Sequence, residues 1–417
     1  MFENLIHTAQ ILLPAGADMG AWAVIACDQY TSQPDYWRCV ERIAAGKPSA
    51  LNLMLPEIYL GENDELRIKN INAAMERYEK SVLAPAGECA VFVKRKLRNG
   101  AIRLGIVACV DLLDYDYNEG SQSLIRVTEA TVSERLPPRV AMRGDSLLEM
   151  PHVILLMDDP GNIVFKNLRN REQDFEILYD FDLMQQSGHI TGYKLDKKSF
   201  DGINEALREL ASPQSYKTKY GTDDENVLLF AVGDGNHSLA AAKQCYINLR
   251  QSFNEKDWLA HPARYALAEI INLHDQSLEF SAINRMVFGV DEEKLVRLLE
   301  AECGLSYDKG RQELEIVQNG VCKKAFFNKT SSAISLGTLQ NFLDRHRDSY
   351  EEIDYIHGEE VLKQLSKKEG ALGFILPVIN KNEFFRTIIR DGALPRKTFS
   401  VGHAQDKRFY LECRRIK

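Results

Sequence analysis

One segment, between Val227 and Arg250, constrains the fold of this chain most strongly. An apolar run from Val227 to Val232 leads into the turn Gly233-Asp234-Gly235-Asn236, and a stretch rich in Ala and Leu follows from Ser238 to Arg250. A short apolar run before a glycine turn is typical of a buried strand, and the Ala- and Leu-rich stretch favours a helix. Strands that turn directly into helices build α/β proteins. The sequence therefore predicts a mixed α/β (α+β) fold.

The same turn is the leading candidate for a binding site. The first N–H groups of a helix lack partners within the helix and attract anions such as phosphate. Gly233 and Gly235 would let a ligand approach the backbone. Asp234 suits a metal ion or a hydroxyl-bearing substrate, and His237 suits proton transfer. The alternative is an ordinary Asp-Gly turn, with Asn236 or Ser238 capping the helix.

Further elements follow from local patterns. Residues 20–28 read as a buried strand, 34–45 and 63–83 as helices, and Arg98-Asn99-Gly100 as the turn of a hairpin. A second hairpin is expected over 176–194, a helix over 199–211 and a final strand over 408–416. Boundaries are weakly marked; the best division gives a core with an inserted β-rich section over 1–285 and a C-terminal α+β region over 286–417.

A cluster of arginines is the second candidate for phosphate binding. Guanidinium groups bind phosphate oxygens in pairs, and Pro137-Pro138 prevents one continuous helix through the cluster. Its members are Arg126, Arg135, Arg139 and Arg143. The alternative is surface salt bridging with Glu129, Glu134 and Glu149.

Other polar residues are candidates for proton transfer or for phosphate binding. Asp28 lies in a polar turn directly after the predicted strand, where catalytic groups gather in α/β folds; helix capping would also explain this turn. Glu57, in Leu55-Pro56-Glu57, is a second acid that could serve as a base or be solvated. Pro395 to Ser400, with Lys407-Arg408 further on, forms a basic patch that either completes a phosphate site or is a solvated loop.

Composition limits the class of protein. A net charge of −8 over 417 residues gives no overall basic field, which argues against a nucleic-acid partner. The eight cysteines form no Cys-x-x-Cys pair, which excludes the usual zinc spacings. Without a signal-peptide pattern or a run of about 18 apolar residues, the expectation is a cytoplasmic protein with no membrane partner.

The glycine turn resembles the hallmark of a largely uncharacterised bacterial family with a ParB/sulfiredoxin-like nucleotide-binding core. That hallmark is a strand, Asp-Gly-His-His-Arg and a helix. Here Asp234, Gly235 and His237 match, while Asn236 stands for the first His and Ser238 for the Arg. The superfamily includes free-serine kinases. The resemblance implies that Asp234 to Ser238 lie beside nucleotide phosphates, with Asp234 near the acceptor or a metal ion.

Weaker matches extend the resemblance along the chain. Thr128-Glu129-Ala130-Thr131 is similar to a His-Glu-x-Thr segment of that family, and Lys397-Thr398 to a Pro-Lys-Ser/Thr run near its C-terminus. Residues 26–35 look like its first strand and turn. The implied fold is a ParB/sulfiredoxin-like nucleotide-binding core with large insertions and a C-terminal α+β part.

These patterns lead to a functional prediction with alternatives. The chain is expected to transfer a phosphoryl group from ATP or another nucleotide, with Mg²⁺, to a small hydroxyl compound, foremost free L-serine to give O-phosphoserine. The alternatives are a ParB-like nucleotide-binding regulatory protein without kinase activity and a scaffold that binds neither ligand. A homodimer is compatible with each of these.

Overall fold

A computed structural model describes residues 4–118, 120–129, 136–395 and 397–417 of the chain. The described residues of Met1–Val127, Thr131–Leu278 and His403–Lys417 form one compact unit, and those of Thr128–Ala130 and Glu279–Gly402 form a second. The first unit thus includes the C-terminal residues of the chain. The division at residue 285 stays a prediction about domains.

The first unit contains a nine-stranded sheet and three smaller strand pairs. In chain order its strands are β1 (Ala9–Pro14), β2 (Val24–Ile25), β3 (Leu83–Cys89), β4 (Val91–Lys96), β5 (Ile102–Asp111), β6 (Tyr115–Asp116), β7 (Ile125–Val127), β8 (Leu148–Glu149), β9 (Ile154–Met157), β10 (Glu176–Asp182), β11 (His189–Lys194), β12 (Phe230–Asp234), β13 (Tyr265–Asn272), β21 (Phe409–Tyr410) and β22 (Arg414–Arg415). The large sheet has the order β10-β11-β4-β5-β13-β9-β12-β7-β6.

Both strand directions occur in this sheet. Strand β12 is parallel to β7 and antiparallel to β9, and β13 is parallel to β9 and antiparallel to β5. Nine helices accompany the strands: α1 (Met19–Trp22), α2 (Pro34–Ala44), α3 (Asp64–Ser81), α4 (Leu136–Gly144), α5 (Lys166–Arg169), α6 (Lys197–Leu210), α7 (Pro213–Tyr220), α8 (Asn236–Leu249) and α9 (Glu255–Ala260), counted over the described residues. The mixed sheet and its helices confirm the predicted mixed α/β class.

Several local patterns fold as expected. Strands β4 and β5 pair antiparallel around Asn99-Gly100, where the Gly100 N–H donates to the Leu97 carbonyl at 2.9 Å and Gly100 has φ +86°. That positive φ explains the glycine, because other residues rarely adopt it. Strands β10 and β11 form the second predicted hairpin, and helices α2, α3 and α6 lie where the apolar periodicity placed them.

Two strand predictions are wrong in part. Residues 19–22 form a helix, because the Asp18 carboxylate caps it by accepting from the Gly20 N–H at 3.0 Å, and strand β2 begins only at Val24. The final strand predicted over 408–416 is two short strands with different partners. Strand β21 pairs with β2 and β22 pairs with β8. Local periodicity does not reveal such a change of partner.

The second unit has its own sheet and its own core. Its strands are β14 (Phe280–Ala282), β15 (Asn284–Phe288), β16 (Gln312–Gln318), β17 (Val321–Phe327), β18 (Glu352–Ile356), β19 (Ala371–Ile375) and β20 (Phe399–Val401), and its helices are α10 (Glu292–Cys303), α11 (Ser335–Arg345), α12 (Glu359–Leu365) and α13 (Lys381–Asp391). Five of the strands form a sheet of order β17-β16-β19-β15-β18, and β14 pairs with β20. Across all described residues, none of the helices combines the length and apolarity needed to cross a membrane.

Candidate functional site

The strand–turn–helix of the first unit forms as predicted, and packing accounts for both of its glycines. A Cβ on Gly233 would lie 2.7 Å from the Leu156 side chain. Gly235 has φ +81°, and a Cβ there would lie 3.1 Å from the Val153 Cα. Each glycine is therefore required by close packing against residues 153–156, whether or not a ligand approaches.

Helix α8 begins at Asn236, and the partial positive charge of its N-terminal end attracts anions. Gly235 precedes it without a side-chain cap, and the first turn contains no acidic residue. The partial positive charge of this helix end is therefore not neutralised within its own first turn. Ser238 is the third residue of the helix, and His237 the second.

Asp234, the last residue of β12, is paired with a cation. Its Oδ2 lies 3.3 Å from the Lys407 Nζ, and its Oδ1 accepts from the Gly235 N–H at 3.1 Å. Burial raises the pKa of Asp234, against the attraction of Lys407, and the nearby Asp28 charge raises it further. Lys407 thus supplies this carboxylate with a cation from within the protein.

Asp28 is the second carboxylate of this cluster, and its environment lowers its pKa instead of raising it. Burial alone would raise its pKa, but His152, the hydrogen bond from Gln29 and Lys407 together hold the pKa of Asp28 below its usual value. Gln29 donates to this carboxylate at 2.9 Å. Two aspartates thus share one site while their proton affinities are pushed apart, an arrangement that is typical of acid–base chemistry.

His152 connects this cluster to helix α8. The Ser238 Oγ lies 3.1 Å from His152 Nε2, and the Tyr410 hydroxyl lies 2.6 Å from His152 Nδ1. The imidazole is buried, and its contacts on both ring nitrogens fix its orientation. Burial raises the pKa of Tyr410 well above its usual value, so this hydroxyl stays protonated.

A cavity of about 160 Å³ opens beside Ser238 and His152. Its walls are mainly apolar, and they carry two arginine–glutamate pairs. Arg139 contacts Glu57, and Arg143 contacts Glu149. The lining residues are Cys27, Leu53, Met54, Leu55, Glu57, Leu60, Met75, Pro138, Arg139, Met142, Arg143, Ser146, Leu148, Glu149, Met150, His152, Ser238, Ala241 and Tyr410. An apolar chamber with charged groups on its wall suits a small polar ligand that has an apolar part.

The structure brings some of the predicted site residues together and separates others. Asp28, Asp234, Gly235 and the first turn of α8 form one cluster, while Glu57, Arg139 and Arg143 line the adjoining cavity. The Glu57 carboxylate faces a guanidinium, which makes it a weaker candidate for a base than Asp28.

Other predicted residues have different surroundings. Arg126 donates to the carbonyls of Ser123 and Asn226 at 2.8 and 2.7 Å and does not line the cavity. Glu129 and Thr398 belong to the second unit, where the Thr398 N–H donates to Glu129 Oε1 at 3.2 Å. Lys397, also in that unit, lies over the Tyr355 ring. Arg135 and Thr131 lie outside the described residues.

The sequence did not identify His152 and Tyr410, and it named Lys407 only as part of a basic patch. His152 and Ser238 are 86 residues apart, and Tyr410 lies 258 residues from His152. No spacing rule links residues at such distances. The sequence contains one indication of His152, which is that it directly precedes the apolar run 153–157.

A metal centre made by the protein alone does not fit these residues. Over the described ranges, no three His, Cys, Asp or Glu side chains are grouped to hold a metal ion, and Lys407 already faces Asp234. Mg²⁺ needs several oxygen ligands. The role of Asp234 as a metal ligand stays a prediction.

Comparison with known proteins gives distant structural matches. A free serine kinase variant in complex with ADP is 12% identical, with 73% of this chain and 91% of that chain covered and a TM-score of 0.39. A conserved hypothetical protein from Pyrococcus furiosus is 14% identical, with 75% and 95% covered and a TM-score of 0.35. SbnI with a C-terminal truncation, from Staphylococcus aureus, is 8% identical, with 71% and 82% covered and a TM-score of 0.37.

These structural likenesses are too remote to identify a function, and among curated proteins there is no match. The sequence comparison is more extensive. Residues 10–369 match the model of a family described as a protein of unknown function (DUF1015). The ParB-like core of the sequence prediction is not part of that description. Because the match covers most of the 417 residues, the chain belongs to the DUF1015 family.

Proposed function

We propose that this protein is a small-molecule kinase that transfers a phosphoryl group from ATP to a hydroxyl group. One observation carries the proposal: Asp28 and Asp234, with pKa values shifted in opposite directions, lie with Lys407 at the uncapped start of helix α8. Phosphoryl transfer needs mainly positioned charge and one group to receive the hydroxyl proton, and this cluster supplies both.

In this proposal Asp28 receives the proton of the acceptor hydroxyl. Its lowered pKa keeps the carboxylate ionised at neutral pH, as a base requires. Asp234 holds Lys407 at 3.3 Å, and the ammonium group offsets negative charge on the transferring phosphoryl group. Without Lys407, the Asp234 carboxylate would repel a nearby phosphate group. The ion pair removes this repulsion.

The nucleotide phosphates are placed at the first turn of α8. Arg139 and Arg143 line the cavity next to that turn, and each can exchange its glutamate partner for phosphate oxygens. Mg²⁺ would arrive bound to the nucleotide, since the part of the chain that the structure describes groups no three His, Cys, Asp or Glu side chains for a metal ion.

Free L-serine is the acceptor that we test first. When one of the two arginines binds phosphate, the other arginine–glutamate pair still offers a cation for a carboxylate and an anion for an ammonium group, which matches an amino-acid zwitterion. The apolar walls of the cavity also allow a larger hydroxyl compound, so the acceptor panel must extend beyond serine.

The test is product formation by the purified full chain. Protein, ATP and Mg²⁺ are incubated with L-serine, L-threonine, L-homoserine and hydroxyl compounds without an amino group, and phosphorylated products are identified by mass spectrometry. Phosphorylation of an amino-acid hydroxyl supports the proposal. ATP binding measured by calorimetry, with no phosphorylated product from any acceptor, favours a nucleotide-binding regulatory protein instead.

A further inference from the structure

The hydrogen bond between Ser238 and His152 has the geometry of an activated nucleophile. His152 Nε2 lies 3.1 Å from the Ser238 Oγ, and His152 Nδ1 lies 2.6 Å from the Tyr410 hydroxyl. When Nδ1 carries the proton and donates it to Tyr410, Nε2 is left to accept the Ser238 proton. A hydroxyl, a base and a third group that orients the base are the parts of a covalent catalyst.

We propose that Ser238 itself receives the phosphoryl group as a covalent phosphoserine and then passes it to the acceptor. The inference rests on the proposed kinase function and adds a catalytic residue to it. Ser238 is accessible for this role because it lines the cavity together with Arg139 and Arg143.

The position of Ser238 favours a phosphorylated form. It is the third residue of α8, in a first turn that has no acidic residue and no side-chain cap. A phosphate group in the first turn of a helix is stabilised by the positive end of the helix dipole. Arg139 and Arg143, on the wall of the same cavity, pair with Glu57 and Glu149 and can exchange these partners for the phosphate group.

Asp28 interacts electrostatically with His152, so a carboxylate is at hand when the imidazole takes the Ser238 proton. The Tyr410 hydroxyl, 2.6 Å from His152 Nδ1, keeps the ring in place during the transfer.

The phosphoryl group reaches the acceptor in two steps. In the first, the Ser238 Oγ bonds to the γ-phosphorus of ATP, its proton moves to His152 Nε2, the bond from that phosphorus to the bridging oxygen breaks, and ADP leaves. In the second, the acceptor oxygen bonds to the phosphorus and its proton moves to Asp28. The bond from phosphorus to Ser238 Oγ then breaks, and His152 returns the first proton to that oxygen.

The test is covalent labelling of the full chain. The protein is incubated with γ-³²P-labelled ATP and Mg²⁺ without an acceptor, quenched and digested, and the labelled residue is located by mass spectrometry. A fluorophosphonate probe, which reacts with activated serines without nucleotide, is applied in parallel. We expect both labels on Ser238, and about a hundredfold slower labelling after His152→Gln.

Matched variants make the result decisive. Ser238→Ala should abolish both labels, while Ser252→Ala, an exposed serine just beyond α8, should leave both unchanged. Circular dichroism and thermal unfolding check that each variant folds. Wild-type turnover in folded Ser238→Ala, or neither label on Ser238 in the wild type, would overturn the inference. Transfer to an acceptor without Ser238 would still leave the kinase proposal standing.

The fluorophosphonate arm tests the reactivity of Ser238 separately from phosphoryl transfer, since the probe does not depend on nucleotide binding. Labelling of Ser238 by the probe without ³²P on Ser238 would overturn the phosphoserine intermediate. If no acceptor were phosphorylated either, the kinase proposal would be overturned as well.

Discussion

Asp28 and Asp234 are residues of the same type, but their pKa values are shifted in opposite directions within a single site. Both side chains are largely removed from water, which raises the pKa of a carboxyl group. At Asp28 the combined effect of His152, Gln29 and Lys407 exceeds this cost, whereas at Asp234 burial and the Asp28 charge prevail over Lys407. The difference in neighbours, and not in residue type, makes Asp28 the candidate base.

The raised pKa of Asp234 predicts a specific pH dependence of stability. Folding favours the protonated form of this group, so its contribution to stability is present below the unfolded pKa and is lost as the pH rises through the folded pKa. Asp234→Asn does not titrate. Its melting temperature, minus that of the wild type, should therefore increase as the pH rises from about 3.5 to about 7.

Thermal unfolding monitored by circular dichroism measures this difference. Asp201→Asn is the control, because Asp201 is exposed on α6 and pairs only with Lys197 among the interactions seen there. A difference for Asp234→Asn that shrinks with rising pH would show that the ion pair with Lys407 outweighs burial.

Among single residues, the sequence indicated part of the candidate site. Asp28 and Asp234 were predicted because each follows a strand, and strand ends are read from local hydrophobicity. His152, Tyr410 and the pairing of Lys407 with Asp234 depend on contacts between distant parts of the chain. Arg126 was predicted to bind phosphate as a member of the arginine cluster, whereas its guanidinium donates to backbone carbonyls.

At the scale of elements, the turn between β12 and α8 is held by close packing against β9. Gly233→Ala would place a methyl group 2.7 Å from the Leu156 Cγ, so the neighbouring strand must shift. We expect this variant to lose about 1–3 kcal/mol of unfolding free energy, as overpacking of a filled core does. Urea unfolding of the purified protein measures the loss.

Gly202→Ala is the matched control for that variant. Gly202 lies within helix α6, and no heavy atom lies within 4 Å of the added Cβ. Alanine is favoured over glycine inside a helix by roughly 0.5–1 kcal/mol, so this variant should gain stability. An unchanged unfolding free energy for Gly233→Ala would contradict the packing account.

Most elements were predictable because their signals are local. The Asn99-Gly100 hairpin and helices α2, α3 and α6 each carry their pattern within one stretch of sequence. The segment at 408–416 was not predicted correctly, since two short strands with different partners read as one strand. Residues 19–22 became a helix because of a single cap at Asp18.

At the scale of the molecule, the last residues of the chain are an integral part of the first unit. Arg408 is buried between Glu269 of β13 and Glu412, with its Nη1 3.0 Å from Glu269 Oε2. Arg95 and Arg103 bind the carbonyls of residues 405–407 from the large sheet. These contacts place Lys407 beside Asp234, so the site depends on residues from both ends of the sequence.

Loss of Arg408 should destabilise the first unit strongly. Arg408→Met leaves Glu269 and Glu412 buried with fewer positive charges, and breaking a buried ion pair costs about 3–5 kcal/mol. Arg415→Met is the control, because the Arg415 side chain is 58% exposed and its pair with Glu79 should contribute less than about 1 kcal/mol. Equal denaturation midpoints for the two variants would refute this role of the C-terminal segment.

Turnover of Asp28→Asn shows whether this site transfers phosphoryl groups with Asp28 as the base. The kcat is measured with ATP, Mg²⁺ and the best acceptor of the panel, for the wild type, Asp28→Asn and the exposed control Asp201→Asn. We expect Asp28→Asn to lower kcat by about a hundredfold or more, the contribution of a positioned base, and Asp201→Asn to leave it unchanged. Wild-type kcat in a folded Asp28→Asn variant would contradict this role of Asp28.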